Sequence, residues 1–61
     1  MNELDVVVLQ HIIVHEGIVL PKGSKGTIVH IFHDQVHYLI EFTEPAPCVV
    51  MVDRDDIQID T

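Results

Sequence analysis

The sequence predicts an all-β domain. Short runs of β-branched residues recur along the chain, turn-forming clusters separate them, and no run has the length and period of an amphipathic helix. Only 5% of the 61 residues are aromatic and 48% are hydrophobic, so valine, isoleucine and leucine must supply most of the core. A chain of this length buries about 60% of the surface that its unfolded form exposes, and we expect one domain spanning residues 1–61.

The first part of the chain predicts one strand, a long loop and a bend. Residues 4–9 (Leu-Asp-Val-Val-Val-Leu) are short and β-branched, which predicts the first strand. Residues 10–21 mix polar and apolar side chains around Gly17, so we expect a long loop there. The cluster Pro-Lys-Gly-Ser-Lys-Gly at 21–26 predicts a tight bend before the second strand.

The middle of the chain predicts a β-hairpin. Residues 27–32 and 36–42 are β-rich, and residues 33–35 between them suit a short connection. If the hairpin closes symmetrically around Asp34-Gln35, one side of it carries the core residues Thr27, Val29, Ile31, Tyr38, Ile40 and Phe42. The opposite side, here named the outer hairpin face, then carries Ile28, His30, Phe32, His37, Leu39 and Glu41.

The last part of the chain predicts two more strands around a helical turn. Pro45 and Pro47 end the third strand, because each lacks the N–H that a β-ladder needs. Residues 49–52 predict strand four. Aspartates favour helix N-caps, so residues 53–56 predict a one-turn helix, and the period-2 pattern of residues 57–59 predicts strand five.

The outer hairpin face is the predicted partner-binding site. This face would carry an apolar patch on the side of the sheet that meets water, beside the carboxylate of Glu41. The patch consists of Ile28, Phe32, Leu39 and the half-apolar His30. Such a patch suggests a protein contact rather than a solvated surface. The alternative is that the loop from residue 10 to residue 20 folds over this face and covers it within the chain.

The order of the predicted elements matches that of SH3-like barrels, which have five short strands, a long first loop and a one-turn helix before the last strand. The segments at 4–9, 23–29 (Gly-Ser-Lys-Gly-Thr-Ile-Val) and 38–42 (Tyr-Leu-Ile-Glu-Phe) resemble a family of small bacterial proteins classed as a domain of unknown function. This resemblance covers nearly the whole chain and implies a small five-stranded SH3-like barrel. Members of that family look like partners of neighbouring toxin-like genes, which implies an antitoxin-like or inhibitory role.

The segment at 23–29 also looks like the KOW motif of ribosomal and transcription-factor barrels, whose adjacent loops touch RNA. Those loops are usually basic, whereas the loops around this segment offer only Lys22 and Lys25. Ten acidic residues against three basic ones give a formal net charge of −7, and the resulting field repels phosphate backbones. We therefore expect a protein-binding module; the alternatives are a KOW-like nucleic-acid module and a self-assembling structural subunit.

The five histidines do not predict a metal site. His11 and His15 are four residues apart, as on a zinc-binding helix, but the residues between them do not favour helix and no glutamate follows His11. His30 and His37 lie diagonally across the predicted hairpin and could share an ion only if a third ligand completed the set.

The remaining residues predict a non-catalytic, cytoplasmic chain without a cofactor. Cys48 opens an apolar strand and is expected in the core rather than as a nucleophile. The aspartates at 53–56 lack the glycine and the terminal glutamate of a calcium loop, so we expect a solvated helix cap. No apolar run approaches the ~20 residues that cross a bilayer, and residues 1–5 lack the basic start of a signal peptide.

Overall fold

The computed structural model describes residues 1–60, which fold into β-strands and one short 3-10 helix. The strands are β1 (Val6–Leu9), β2 (Ile13–His15), β3 (Ile18–Leu20), β4 (Lys25–Ile31), β5 (His37–Phe42), β6 (Cys48–Asp53) and β7 (Ile57–Ile59), and the 3-10 helix is Arg54–Asp56. The predicted all-β class is confirmed. Within residues 1–60, no helix has the length and the apolar character needed to cross a membrane.

The strands pair antiparallel in two sheets. The larger sheet has the order β6-β5-β4-β1-β7, and β2 pairs only with β3. The long loop predicted over residues 10–21 is therefore a β-hairpin, with Glu16 and Gly17 at φ values of 50° and 78° in its turn. Glycine adopts this left-handed conformation at no steric cost, which suits a two-residue hairpin turn. The strands of residues 1–60 do not close into a barrel.

The β4–β5 hairpin has the predicted register next to its turn. Ile31 pairs with Tyr38 and His30 pairs with Leu39, as symmetric closure around residues 34–35 requires. The Asp34 carboxylate stabilises the turn by accepting hydrogen bonds from the backbone N–H groups of the two residues that follow Gln35. This local geometry is the kind that aspartate favours in turns.

A β-bulge changes the register farther from the turn. The pairing shifts between Ile28 and His30, so that Ile28 lies opposite Ile40 and Val29 becomes an extra residue. As a result Ile28 is fully buried, whereas 39% of the Val29 surface is exposed. The placement of Ile28 on the outer hairpin face was wrong, and so was the placement of Val29 and Thr27 in the core, because one extra residue exchanges the two sides of the strand.

The core lies on the inner side of the five-stranded sheet, under the β2–β3 hairpin. Leu20 belongs to the buried core, and Ile13 and Ile18 of the hairpin pack against it. The hairpin therefore covers the core side, and the alternative in which residues 10–20 cover the outer side is wrong. The buried core residues are Val7, Leu9, Leu20, Ile28, Tyr38, Ile40, Phe42, Val50, Val52 and Ile57.

Gly26 lets β4 approach β5 closely within this core. A Cβ atom at Gly26 would lie 2.5 Å from Ile40 Cγ2 and 2.9 Å from Phe42 Cε1, both shorter than an ordinary van der Waals contact. The glycine that the sequence places at the bend thus makes room for two of the largest core side chains. Its role is close packing rather than an unusual backbone angle.

Candidate protein-binding face

The outer side of β4, β5 and β6 carries the predicted partner-binding residues other than Ile28. His30 and Glu41 are exposed, while Phe32, His37 and Leu39 are half-buried. Leu39 pairs with His30 on one side, which places these two side chains on the same face of the sheet. The structure thus brings together five of the six predicted residues and moves Ile28 to the core.

Strand β6 adds apolar side chains that the sequence reasoning missed. Met51 pairs with Leu39 and Val49 pairs with Glu41, so both lie on this same outer side, where 59% and 46% of their surfaces are exposed. The sequence predicts a strand at residues 49–52, but it does not indicate that this strand lies beside β5. We name the combined surface the outer sheet face; it consists of Val29, His30, Phe32, His37, Leu39, Glu41, Val49 and Met51.

Two aromatic rings pack against each other at one end of the outer sheet face. The rings of His30 and Phe32 form a T-shaped contact with centroids 4.8 Å apart and planes at 89°. Edge-to-face contacts of this kind are favourable because the ring edge is positive and the ring face negative. The contact fixes the direction of the Phe32 side chain just past the end of β4.

His37 lies between two carboxylates at the turn end of the face. Its Nδ1 atom is hydrogen-bonded to the Asp34 carboxylate, and its Nε2 atom lies 3.1 Å from Oδ1 of Asp53. The hydrogen bond to Asp34 is the main cause that raises the pKa of His37, and the negative charges of Asp34 and Asp53 act in the same direction. The protonated imidazole thus ties the β4–β5 turn to the end of β6.

Asp34 is held in its ionised form by the same turn. The Val36 N–H donates to its carboxylate at 2.9 Å, which is the largest cause, and the His37 side chain and N–H add to it. Together these hydrogen bonds lower the pKa of Asp34 to about 2. A carboxylate therefore stays charged beside the outer sheet face at any physiological pH.

The other candidate groups have structural positions. Cys48, expected in the core, is half-buried and packs against the core from its margin. The backbone N–H of Asp53 donates to the Asp56 carboxylate at 3.0 Å, which caps the 3-10 helix. Across residues 1–60, no three or more histidine, cysteine, aspartate or glutamate side chains lie close enough together to hold a metal ion.

A cavity of 410 Å³ lies outside the outer sheet face, beside the β4–β5 turn. Its lining combines the inner-side residues Ile31 and Tyr38 with Gln35, Arg54 and the first two residues of the chain. Within residues 1–60, the lining of this cavity includes none of the five predicted partner-binding residues that lie on the outer side of the sheet. The cavity is therefore separate from the outer sheet face.

One protein-family model matches residues 3–53, and its description is a domain of unknown function, DUF4926. The match covers well over half of the 61 residues. The chain belongs to the DUF4926 family. The resemblance to a domain of unknown function is thereby confirmed. The matched residues of this DUF4926 chain include the whole outer sheet face and both strands of the β2–β3 hairpin, and the match ends at the last residue of β6. Searches of curated proteins and of solved structures found no match.

Proposed function

We propose that this DUF4926 domain is a non-catalytic protein-binding module and that the outer sheet face is its contact surface. One observation carries the proposal: the exposed side chains of Val49 and Met51 and the half-buried side chain of Leu39 form an apolar row across β5 and β6. Contiguous exposed apolar patches with a polar rim are typical of protein-protein contact sites. Here the polar rim consists of Glu41 and of His37 with its two carboxylate partners, Asp34 and Asp53.

The acidity of the chain supports a basic partner. The formal net charge is −7, and the carboxylates of Asp34, Glu41 and Asp53 lie on or beside the outer sheet face. Complementary charge speeds association and selects against partners of the same charge. An antitoxin-like or inhibitory role fits this pattern, because an acidic domain of this size can cover a basic active-site cleft without chemistry of its own.

The strand order supports a relation of this module to SH3-like barrels, although the strands of residues 1–60 do not close into a barrel. Strands β4, β5 and β6 form a meander, β1 lies beside β4, and β7 follows a 3-10 helix and pairs with β1. The β2–β3 hairpin occupies the place of the long first loop of the SH3-like pattern. The fold gives the face its rigidity but does not by itself indicate a function.

The proposal is tested by affinity capture with the full chain from its native host. We expect a partner that binds the wild-type chain and is lost when Leu39→Ser and Met51→Ser are combined. The matched control is Val14→Ser on β2, because Val14 is 65% exposed and lies on the β2–β3 hairpin, which packs on the opposite side of the sheet. Circular dichroism checks that each variant is folded; a partner that still binds the double variant, or no partner at all, contradicts the proposal.

The same preparation tests the nucleic-acid alternative. Lys25 begins β4, whereas the N–H of Arg54 bonds to the carbonyl of Val36 next to the β4–β5 turn, so these two cations lie at opposite ends of the hairpin. Lys25 also pairs with Asp60 at 3.2 Å. We expect no binding of a labelled RNA oligonucleotide in fluorescence anisotropy at physiological salt, since nucleic-acid affinity depends on converging positive charges.

A further inference from the structure

Strand β6 is an edge of the five-stranded sheet. β5 pairs with it along its whole length on one side, and no strand of residues 1–60 lies on its other side. An edge strand presents N–H and C=O groups that can pair with another extended chain.

The hydrogen-bond alternation assigns the free backbone groups. The Arg54 N–H donates to the Val36 carbonyl at 2.7 Å, in register with the β5–β6 ladder. Alternate residues of an antiparallel strand direct their backbone groups to the same neighbour, so the even-numbered residues of β6 face β5. The backbone groups of Val49, Met51 and Asp53 therefore point towards the open edge.

Of these three residues, Asp53 has a backbone N–H that is already used in capping the 3-10 helix. Its N–H already donates to the Asp56 carboxylate at 3.0 Å. Val49 and Met51 each direct one N–H and one C=O to the open edge, at the spacing that an antiparallel strand needs for two pairs of hydrogen bonds. Their side chains are 46% and 59% exposed on the outer sheet face, next to the same edge.

The charges around this edge indicate what would pair with it. Glu41 lies beside Val49 on the outer sheet face. The exposed carboxylate of Asp53 follows at the end of the strand, where it pairs with His37 and precedes Arg54. A second copy of the chain would bring the same carboxylates and a further net charge of −7 against them. Like charges across an interface oppose association, whereas lysine or arginine beside the edge would be attracted.

We propose that β6 binds its partner by strand addition: an extended basic segment of the partner pairs with the backbone of Val49 and Met51 and lengthens the five-stranded sheet. This inference rests on the proposed function and names the structure that the module recognises. Backbone hydrogen bonds hold the added strand, and its alternate side chains extend the apolar row of the outer sheet face. Lysine or arginine at its ends faces Glu41 and Asp53.

The test uses the full chain and a synthetic peptide of alternating valine and threonine with lysine at both ends. In an NMR titration we expect saturable shifts along β6 and slower hydrogen exchange at the amides of Val49 and Met51. The same peptide with glutamate in place of lysine should bind roughly tenfold more weakly, because it adds like charge to an acidic edge. A peptide N-methylated at every residue should not bind, because neither of its edges then has a backbone N–H that can donate.

Variants of two equally exposed valines supply the control. Val49→Lys puts a cation on the β6 edge and should weaken peptide binding by at least roughly tenfold, since charged residues on an edge disfavour strand pairing. Val19→Lys changes a valine of similar exposure, 49% against 46%, on β3 and should leave binding unchanged. Val49→Thr keeps a β-branched side chain and should retain binding.

Three results would overturn strand addition at β6. They are equal binding of the N-methylated peptide, amide protection on β7 or β3 instead of β6, and concentration-dependent self-association of the chain with protected Val49 and Met51 amides. If the native partner is lost on changing Leu39 and Met51 but is insensitive to Val49→Lys, the strand-addition inference fails while the proposed function stands. If no native partner exists, the proposed function fails whatever the peptide does.

Discussion

At the scale of single residues, Val29 decides which side chains of β4 reach the core. As the extra residue of a bulge, it lets Ile28 and Ile31 both point inward although an odd number of steps separates them. A regular strand would alternate strictly and would place one of these two isoleucines in water. The bulge therefore allows both isoleucines of β4 to lie on the core side of the sheet.

Paired substitutions at neighbouring positions test this placement. Ile28→Val should lower the free energy of unfolding by about 0.5–1.5 kcal/mol, because it removes a methyl group from a fully buried site. Val29→Ala should change it by less than about 0.5 kcal/mol, since Val29 is partly exposed. Urea denaturation measures both values, and the reverse order would indicate the regular hairpin rather than the bulge.

The raised pKa of His37 should depend more on Asp34 than on Asp53. Asp34→Asn should move the pKa of His37 back towards its ordinary value of 6.5, because it removes the charge of the main partner while an amide oxygen can still accept the turn hydrogen bonds. Asp53→Asn should lower it less, since Asp53 is the smallest of the causes that raise it. NMR titration of the imidazole protons measures the pKa, and equal effects of the two variants would contradict this assignment.

The raised pKa of His37 also predicts how stability depends on pH. The protonated form is favoured in the folded chain, so its stabilisation is complete below pH 6.5 and is lost as the pH rises through the raised pKa. The stabilisation from Asp34 has the opposite sign: it is present above pH 3.8 and is lost as the pH falls through about 2. Urea denaturation across this pH range measures the free energy of unfolding of the wild type and of His37→Gln. The difference between the two should be largest at mildly acidic pH.

At the scale of elements, the β2–β3 hairpin is the least integrated part of the sheet structure. Its two strands have three residues each, and within residues 1–60 they share no ladder with the larger sheet. Leu20, Ile13 and Ile18 hold it on the core through side-chain contacts. An isolated hairpin is marginally stable in water, so the free energy that keeps it closed comes from this packing.

Local opening of the β2–β3 hairpin should therefore be visible in hydrogen exchange. We expect the ladder amides of β2 and β3 to exchange at least about tenfold faster than those of β5, which is paired on both sides. Leu20→Ala should widen this difference, although it also weakens the core. Equal protection of the two sets of amides would show that the hairpin opens only when the whole domain unfolds.

The positions of the main strands and the β4–β5 pairing next to its turn could be predicted from sequence, whereas the pairings of the other strands could not. Patterns of β-branched residues placed β1, β4, β5, β6 and β7, and the turn at Asp34 set the register that brings His30 beside Leu39. The β2–β3 hairpin was missed because its strands are very short and its turn is Glu-Gly rather than the favoured Asn-Gly or Asp-Gly.

The bulge and the contribution of β6 to the candidate site depend on contacts between distant segments. Ile28 lies inward opposite Ile40, on the same side as Gly26, where an added Cβ atom would meet Ile40 and Phe42. No local pattern in β4 signals this. Val49 and Met51 join the outer sheet face only because β6 pairs with β5. Sequence reasoning therefore found the part of the site that lies on one hairpin and missed the part that a neighbouring strand adds.

At the scale of the whole molecule, the dominant property is negative charge in a small volume. The net charge is −7 and the radius of gyration is 10.3 Å, so most carboxylates lie within a low-salt Debye length of about 30 Å of each other. We expect the melting temperature to rise by several degrees as sodium chloride increases from low to physiological concentration, because screening weakens the repulsion. A falling melting temperature would instead show that ion pairs such as Lys25–Asp60 dominate.

The extra position in β4 also governs how the length of this chain can vary. Removing one residue from a β-strand normally turns all later side chains to the wrong side. Removing Val29 would instead join Ile28 directly to His30 and leave a continuous ladder, with Ile28 still opposite Ile40 and His30 still opposite Leu39. Chains that are one residue shorter at this point can therefore keep the same buried interior and every residue of the outer sheet face except Val29. A gap at Val29 in an alignment then marks a lost bulge and not a different fold.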